Sequence, residues 1–109
     1  MKILFDQGTP APLRKALGAH TVETAHERGW SALQNGELIA AAEAAGFEVF
    51  VTTDRNLKYQ QNLGGRQLAI VVLLTTSWPR IRQALPLVAH AIDTAAVGTY
   101  REVSVPSAA

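Results

Sequence analysis

Phe47-Glu48-Val49-Phe50-Val51-Thr52-Thr53-Asp54 is the stretch on which the fold turns. β-branched and aromatic residues fill it almost without interruption, and it ends on an acid. A run of this kind reads as a strand buried on both faces, since a strand with one wet face alternates polar and apolar residues. Leu68 to Leu74 repeats the pattern. Near-continuous apolar strands separated by helices are the mark of a parallel sheet covered on both sides.

Working outward, Asn35-Gly36-Glu37 opens the clearest helix: Leu38, Ile39, Ala42 and Ala45 recur at helical spacing, and Gly46 stops it. Asn35 is expected as its N-cap. At the start of the chain Lys2 to Phe5 forms a short apolar strand closed by Asp6, followed by Gly8, Pro10 and Pro12. Thr9 is the expected cap of a helix reaching Leu17, because proline is tolerated in a first helical turn. His20 to Ala25 reads as a second strand. A further helix starts at Ser77, and Pro86 inside its pattern should kink or split it. Thr99 to Val105 makes a last, edge strand, and 106–109 a frayed tail. The expected order is βαβαβ, a short helix, then βαβ. That is one three-layer, Rossmann-like α/β domain over 1–105 with a mainly parallel central sheet.

Composition sets outer limits. The chain has 109 residues, 48% of them hydrophobic and 17% charged, enough for a core and too apolar for disorder. No cysteine is present, which removes disulfides, thiolate metal sites and cysteine nucleophiles together. No apolar run approaches the ~20 residues of a membrane span, and MKILFDQG turns polar too soon for a signal peptide. A cytoplasmic protein that does not touch the membrane is expected. The net charge of +1 excludes a crude polyelectrolyte, yet it conceals an asymmetry. Residues 1–54 carry seven acids and four bases, and residues 55–109 two acids and six bases.

Three of those early acids are placed to meet. In open parallel sheets ligands bind outside the carboxyl ends of the strands, where the strand order reverses. Asp6 ends the first strand and Asp54 the third. Glu37 begins the helix that leads into the third strand, so it belongs at the same edge. Clustered carboxylates with open positions suit Mg²⁺ or Mn²⁺, which retain waters and bind substrate phosphates. Asn56 adds an oxygen donor. Arg55, Lys58, Tyr59 and Gln60 supply charge, stacking and hydrogen-bonding groups that an RNA strand would use. His20, His26 and His90 lack ligand spacing, and Trp30 and Trp78 read as core or interface anchors. No serine elbow or glycine-rich phosphate loop is present.

With Asp6, Glu37 and the Thr52-Thr53-Asp54-Arg55-Asn56-Leu57 stretch in view, the chain resembles a PIN-like nuclease domain from its first strand to Trp78. Within that group it is most similar to the compact, VapC-related toxins of toxin–antitoxin pairs. The resemblance implies a metal-dependent endoribonuclease acting on RNA phosphodiesters. Asp6, Glu37 and Asp54 take the acidic catalytic and ligand positions, and Asn56 lies near a fourth. A cognate antitoxin and a homodimer are the partners it implies. Two positions depart from the pattern: Asn56 is an amide and Gln7 is uncharged where these proteins often carry acids, which lowers the expected metal affinity. Two alternatives stay open. One is a binding module that keeps the fold with little or no catalysis. The other is a receiver-like signalling domain with Asp54 as phosphoacceptor, although only one acid ends its first strand and no lysine follows its last.

Overall fold

Five strands, β1 (Lys2–Phe5), β2 (Thr21–Thr24), β3 (Val49–Thr52), β4 (Ala69–Leu73) and β5 (Tyr100–Val103), form one sheet in the order β2-β1-β3-β4-β5. Every pairing is parallel. The computed structural model describes residues 1–57 and 66–106. Lys58, Tyr59 and Gln60, expected to face RNA, lie outside the described residues, as do 107–109 of the tail.

Alternate residues of each strand point to opposite faces, so the buried runs feed two cores. Ile3, Phe5, Val49, Val51, Val71 and Leu73 pack on one face with Leu13, Leu17, Ile81, Val88 and Ile92. Leu4, Phe50, Ile70 and Val72 pack on the other with Leu38, Ile39, Ala42 and Leu57. Helices therefore cover both faces. A 3-10 helix (Ala11–Leu17), α2 (Trp78–Gln83) and α3 (Leu85–Asp93) lie on the first face, and α1 (Asn35–Ala44) lies on the second. The result is a Rossmann-like three-layer domain with an all-parallel sheet.

Several local expectations are corrected by tertiary contacts. The segment after β1 is a 3-10 helix, and its N-cap is Pro10, with no side-chain capping bond. Thr9 is instead buried, with its hydroxyl 2.7 Å from Asp6 Oδ1 and 3.0 Å from the Val51 carbonyl. A short polar side chain caps a helix only when nothing stronger claims it, and here the strand-ending acid does. The cap of α1 is Gln34, not Asn35; Glu37 reaches back to accept the Gln34 N–H at 3.0 Å. The expected stop holds, with Gly46 at φ +81°. Pro86 divides the last helical run as anticipated. Gln83 ends α2, and the proline sits in the first turn of α3, where its missing N–H is harmless. Ser77 caps α2 by accepting the Arg80 N–H.

One topological feature has no trace in the local pattern. From β1 to β2 the chain steps toward one edge with its helix on the first face. From β2 to β3 it steps back with α1 on the second face, as a constant crossover hand requires. From β4 to β5 it moves in that same second direction, yet α2 and α3 lie on the first face. The last crossover thus has the hand opposite to the first two. The strand order itself reverses between β1 and β3, which places a switch-point crevice at the carboxyl ends of those two strands.

Candidate active site

Asp6 leaves β1 and Asp54 follows β3 by two residues, so both stand on either side of that crevice. Thr52 joins them. Its fully buried side chain donates to Asp6 Oδ2, while its hydroxyl oxygen accepts the Asp54 N–H at 3.1 Å. Asp6 Oδ1 also accepts from the Thr9 backbone N–H at 3.0 Å. Asp54 Oδ1 accepts the Asn56 N–H at 2.9 Å, and Asp54 Oδ2 accepts from the Asn35 side-chain amide. The last contact fixes the start of α1 at the same edge of the sheet, as its place before β3 requires.

Glu37 sits two residues beyond Asn35, exposed, with its carboxylate turned back onto the Gln34 N–H. That bond satisfies an orphan donor at the helix start, and an acid is favoured there by the helix dipole. The structure brings Asp6 and Asp54 together through Thr52, and it places Glu37 near that edge but committed to its own helix. Among the described residues, no three His, Asp or Glu side chains form a group that could hold a metal ion. Arg55 and Asn56 are exposed immediately after Asp54.

The acids of this chain are held in different ways. Away from the crevice three are matched by guanidinium groups, Glu23 with Arg28 at 3.5 Å, Glu43 with Arg66 at 2.9 Å, and Glu27 with Arg14, while Asp93 meets the His20 ring at 2.6 Å and Glu48 accepts the Lys2 backbone N–H at 3.2 Å. Glu27 shows the consequence. The hydrogen bond from Arg14, then that from the Thr24 backbone N–H, draw its carboxyl from the usual 4.5 down to about 2. Among the described residues Asp6, Glu37 and Asp54 form no ion pair; hydroxyl, amide and backbone N–H donors hold them.

Two clefts open beside Asp6. One, of about 170 Å³, is bounded by Gln7, Ser31, Asn35 and the apolar Trp30, Leu33 and Leu38. The other, of about 560 Å³, runs from Asp6 and Thr9 to Thr24 and His26. Gln7 ties the loop after β1 to the loop before α1, its Nε2 donating to the Ser31 carbonyl at 2.8 Å. Gly8 lies close to the other loop, since a Cβ there would sit 2.5 Å from Thr53 Oγ1 and the hydroxyl would have to move. Both tryptophans are anchors, as expected. Trp30 meets Phe47 edge-on at 6.2 Å under the Arg28 guanidinium, and Trp78 packs against the first core.

Thr52, Asn35 and His26 are rim residues that sequence reasoning passed over. Thr52 had a signal, a hydroxyl at the last position of an otherwise apolar run. Asn35 was visible only as a cap, and His26 carried no signal at all. No family model, curated protein or solved structure matches the chain.

Proposed function

We propose that this chain is a Mg²⁺- or Mn²⁺-dependent endoribonuclease of PIN-like type, acting in the cytoplasm as the toxin of a toxin–antitoxin pair. The observation that carries this reading is the pair Asp6 and Asp54 at the switch point, linked by a buried threonine that bonds the Asp6 carboxylate and the Asp54 N–H, with no ion pair to either acid among the described residues. Mg²⁺ commonly takes one or two carboxylates and completes its shell with water and substrate phosphate oxygens. Asp6 and Asp54 fit that sparse donor set, with Asn56 as an outer oxygen donor.

A bound divalent ion supplies Lewis acidity to the phosphodiester and to the attacking water. The chain's own groups do the rest. Asp6 and Asp54 present negative charge from opposite sides of the crevice, and Thr52 and Thr9 keep Asp6 from rotating away. Glu37 orients water at the edge of the site once substrate draws it from its cap. Arg55 meets a flanking phosphate, with Lys58, Tyr59 and Gln60 continuing the RNA-facing surface. The water oxygen joins phosphorus, one P–O ester bond breaks, and the departing oxygen takes up a proton. An antitoxin that covers the crevice and a homodimer belong to this reading.

Calorimetric titration with Mn²⁺, paired with cleavage of a single-stranded RNA, tests it. Binding heat and cleavage that both vanish in Asp6→Asn and Asp54→Asn are expected. No heat up to millimolar metal, with no cleavage, leaves instead a binding module on the same fold. The commitment of Glu37 to its helix cap favours that second reading.

A receiver-like role for Asp54 draws support from the strand order β2-β1-β3-β4-β5, which doubly wound signalling domains share. The reversed hand of the β4–β5 crossover weighs against it, because doubly wound sheets are built from right-handed units. Stable acetyl phosphate labelling of Asp54 would establish the receiver role.

A further inference from the structure

The smaller cleft beside Asp6 has a composition that neither metal binding nor phosphate binding needs. Trp30, Leu33 and Leu38 give it an apolar floor, and Gln7, Ser31 and Asn35 give it a polar mouth. No lysine, arginine or histidine lines it, so a phosphate has no counter-charge there. At about 170 Å³ it has room for one ring system, not for a whole nucleotide.

The mouth has a definite hydrogen-bonding sense. Gln7 spends its amide N–H on the Ser31 carbonyl, and Asn35 spends its own on Asp54. Among the described residues the side-chain carbonyl oxygens of both, Gln7 Oε1 and Asn35 Oδ1, have no protein partner. With the Asp6 carboxylate alongside, the mouth is rich in acceptors. A ligand that fits must be flat, with apolar faces and a donor-bearing edge. The Trp30 ring is already pinned, by Phe47 at its edge and by Arg28, whose Cζ lies 4.7 Å from the ring centroid. Its place is therefore set before any ligand arrives, which lowers the ordering cost of binding.

We infer that this cleft is a nucleobase pocket that selects cytosine and adenine, whose amino groups stand at C4 and C6, over uracil and guanine, which carry carbonyl oxygens at those positions. Cytosine and adenine offer an N–H₂ donor where uracil offers a carbonyl, and two unpartnered acceptors reward the first and repel the second. Single-stranded RNA is commonly read in this way, through a base splayed into a pocket with an aromatic wall. The inference rests on the RNA reading above and gives it a specificity: cleavage next to a C or an A seated beside Asp6.

Free nucleosides test the pocket without phosphate, metal or turnover. In a ¹H–¹⁵N spectrum of the full chain, with the two indole signals assigned by Trp78→Phe, cytidine and adenosine should shift the Trp30 indole saturably. Uridine should bind roughly 5- to 150-fold more weakly, the range expected of a good paired contact. Leu33→Phe, which fills the floor, should abolish the shift, and Gln7→Leu should narrow the gap between cytidine and uridine. The inference is overturned if no nucleoside moves Trp30 more than Trp78, or if uridine binds as well as cytidine. Cleavage by Asp6→Asn separates the two claims. Selective nucleoside binding with metal-dependent cleavage intact in that variant keeps the pocket and removes the assigned metal site. Loss of cleavage in that variant with no nucleoside binding to the parent keeps the nuclease and removes the pocket.

Discussion

Glu43, in the last turn of α1, and Asp6, just after β1, are both partly exposed carboxylates, yet they are held by opposite means. Glu43 meets the Arg66 guanidinium at 2.9 Å and the Gln67 backbone N–H at 2.7 Å, so its charge is matched inside the protein. Asp6 is held by Thr9 and Thr52, which fix its position and leave its charge uncancelled. The same contrast separates Glu23 and Glu27 from Asp54 and Glu37. Neutral donors orient a carboxylate without neutralising it, which is what the proposed cation site needs. Ion-paired acids serve the fold.

The largest effect should come from exchanging charge across this divide. Asp6→Asn is expected to lower metal-dependent RNA cleavage by more than the roughly 10–100-fold that loss of a supporting residue costs. Glu43→Gln should leave the cleavage rate within a factor of two or so, because its role is structural. Equal losses in the two variants, measured on one RNA, would erase the distinction. Next in size, Mn²⁺ at about a hundred times its dissociation constant should stabilise the parent by about 2.7 kcal/mol in thermal or urea unfolding. Asp54→Asn should lose that gain, whereas Glu43→Gln should retain it.

Thr52→Val sharpens the comparison further, since it keeps both carboxylates and removes the hydroxyl that links the Asp6 carboxylate to the Asp54 N–H. A stability loss of roughly 1–3 kcal/mol is expected from the buried polar partners left unmade. Metal affinity should also fall roughly 10–100-fold. A variant with reduced stability and unchanged metal affinity would show that Thr52 serves packing alone.

Glu27 supplies the smallest effect, from the paired side. Its carboxyl is lowered in the folded protein to about 2 from 4.5, so its contribution is fully present above about pH 4.5. That contribution is lost as pH falls toward 2. The pair with Arg14 is exposed and screened, so the contribution is small. Glu27→Gln should flatten the pH dependence of urea midpoints between pH 5 and 3 by a small but measurable amount. Metal binding at neutral pH should not change.

What the sequence disclosed follows the range of the forces involved. The apolar runs around Val49–Thr52 and Ala69–Leu73 declare their strands because burial on both faces leaves no polar alternation. Pro86 declares its break because a missing N–H acts locally. The switch-point rule then put Asp6 and Asp54 at one edge from strand order alone. Long-range bonds stayed hidden. Asn35 is a good cap by type, but Asp54, nineteen positions away, takes its amide, and Gln34 becomes the cap. Thr9 is likewise claimed by Asp6 and Val51. The posture of Glu37, turned inward to its own helix, and the reversed last crossover depend on packing that no short window contains.

Gly8 carries a consequence for the tolerance of the whole rim. A single methyl at that position would lie 2.5 Å from Thr53 Oγ1, so the two loops bearing Asp6 and Asp54 rest against each other like closed jaws. A side chain at position 8 must displace the Thr53 hydroxyl, so the packing of the rim can be altered without touching either acid.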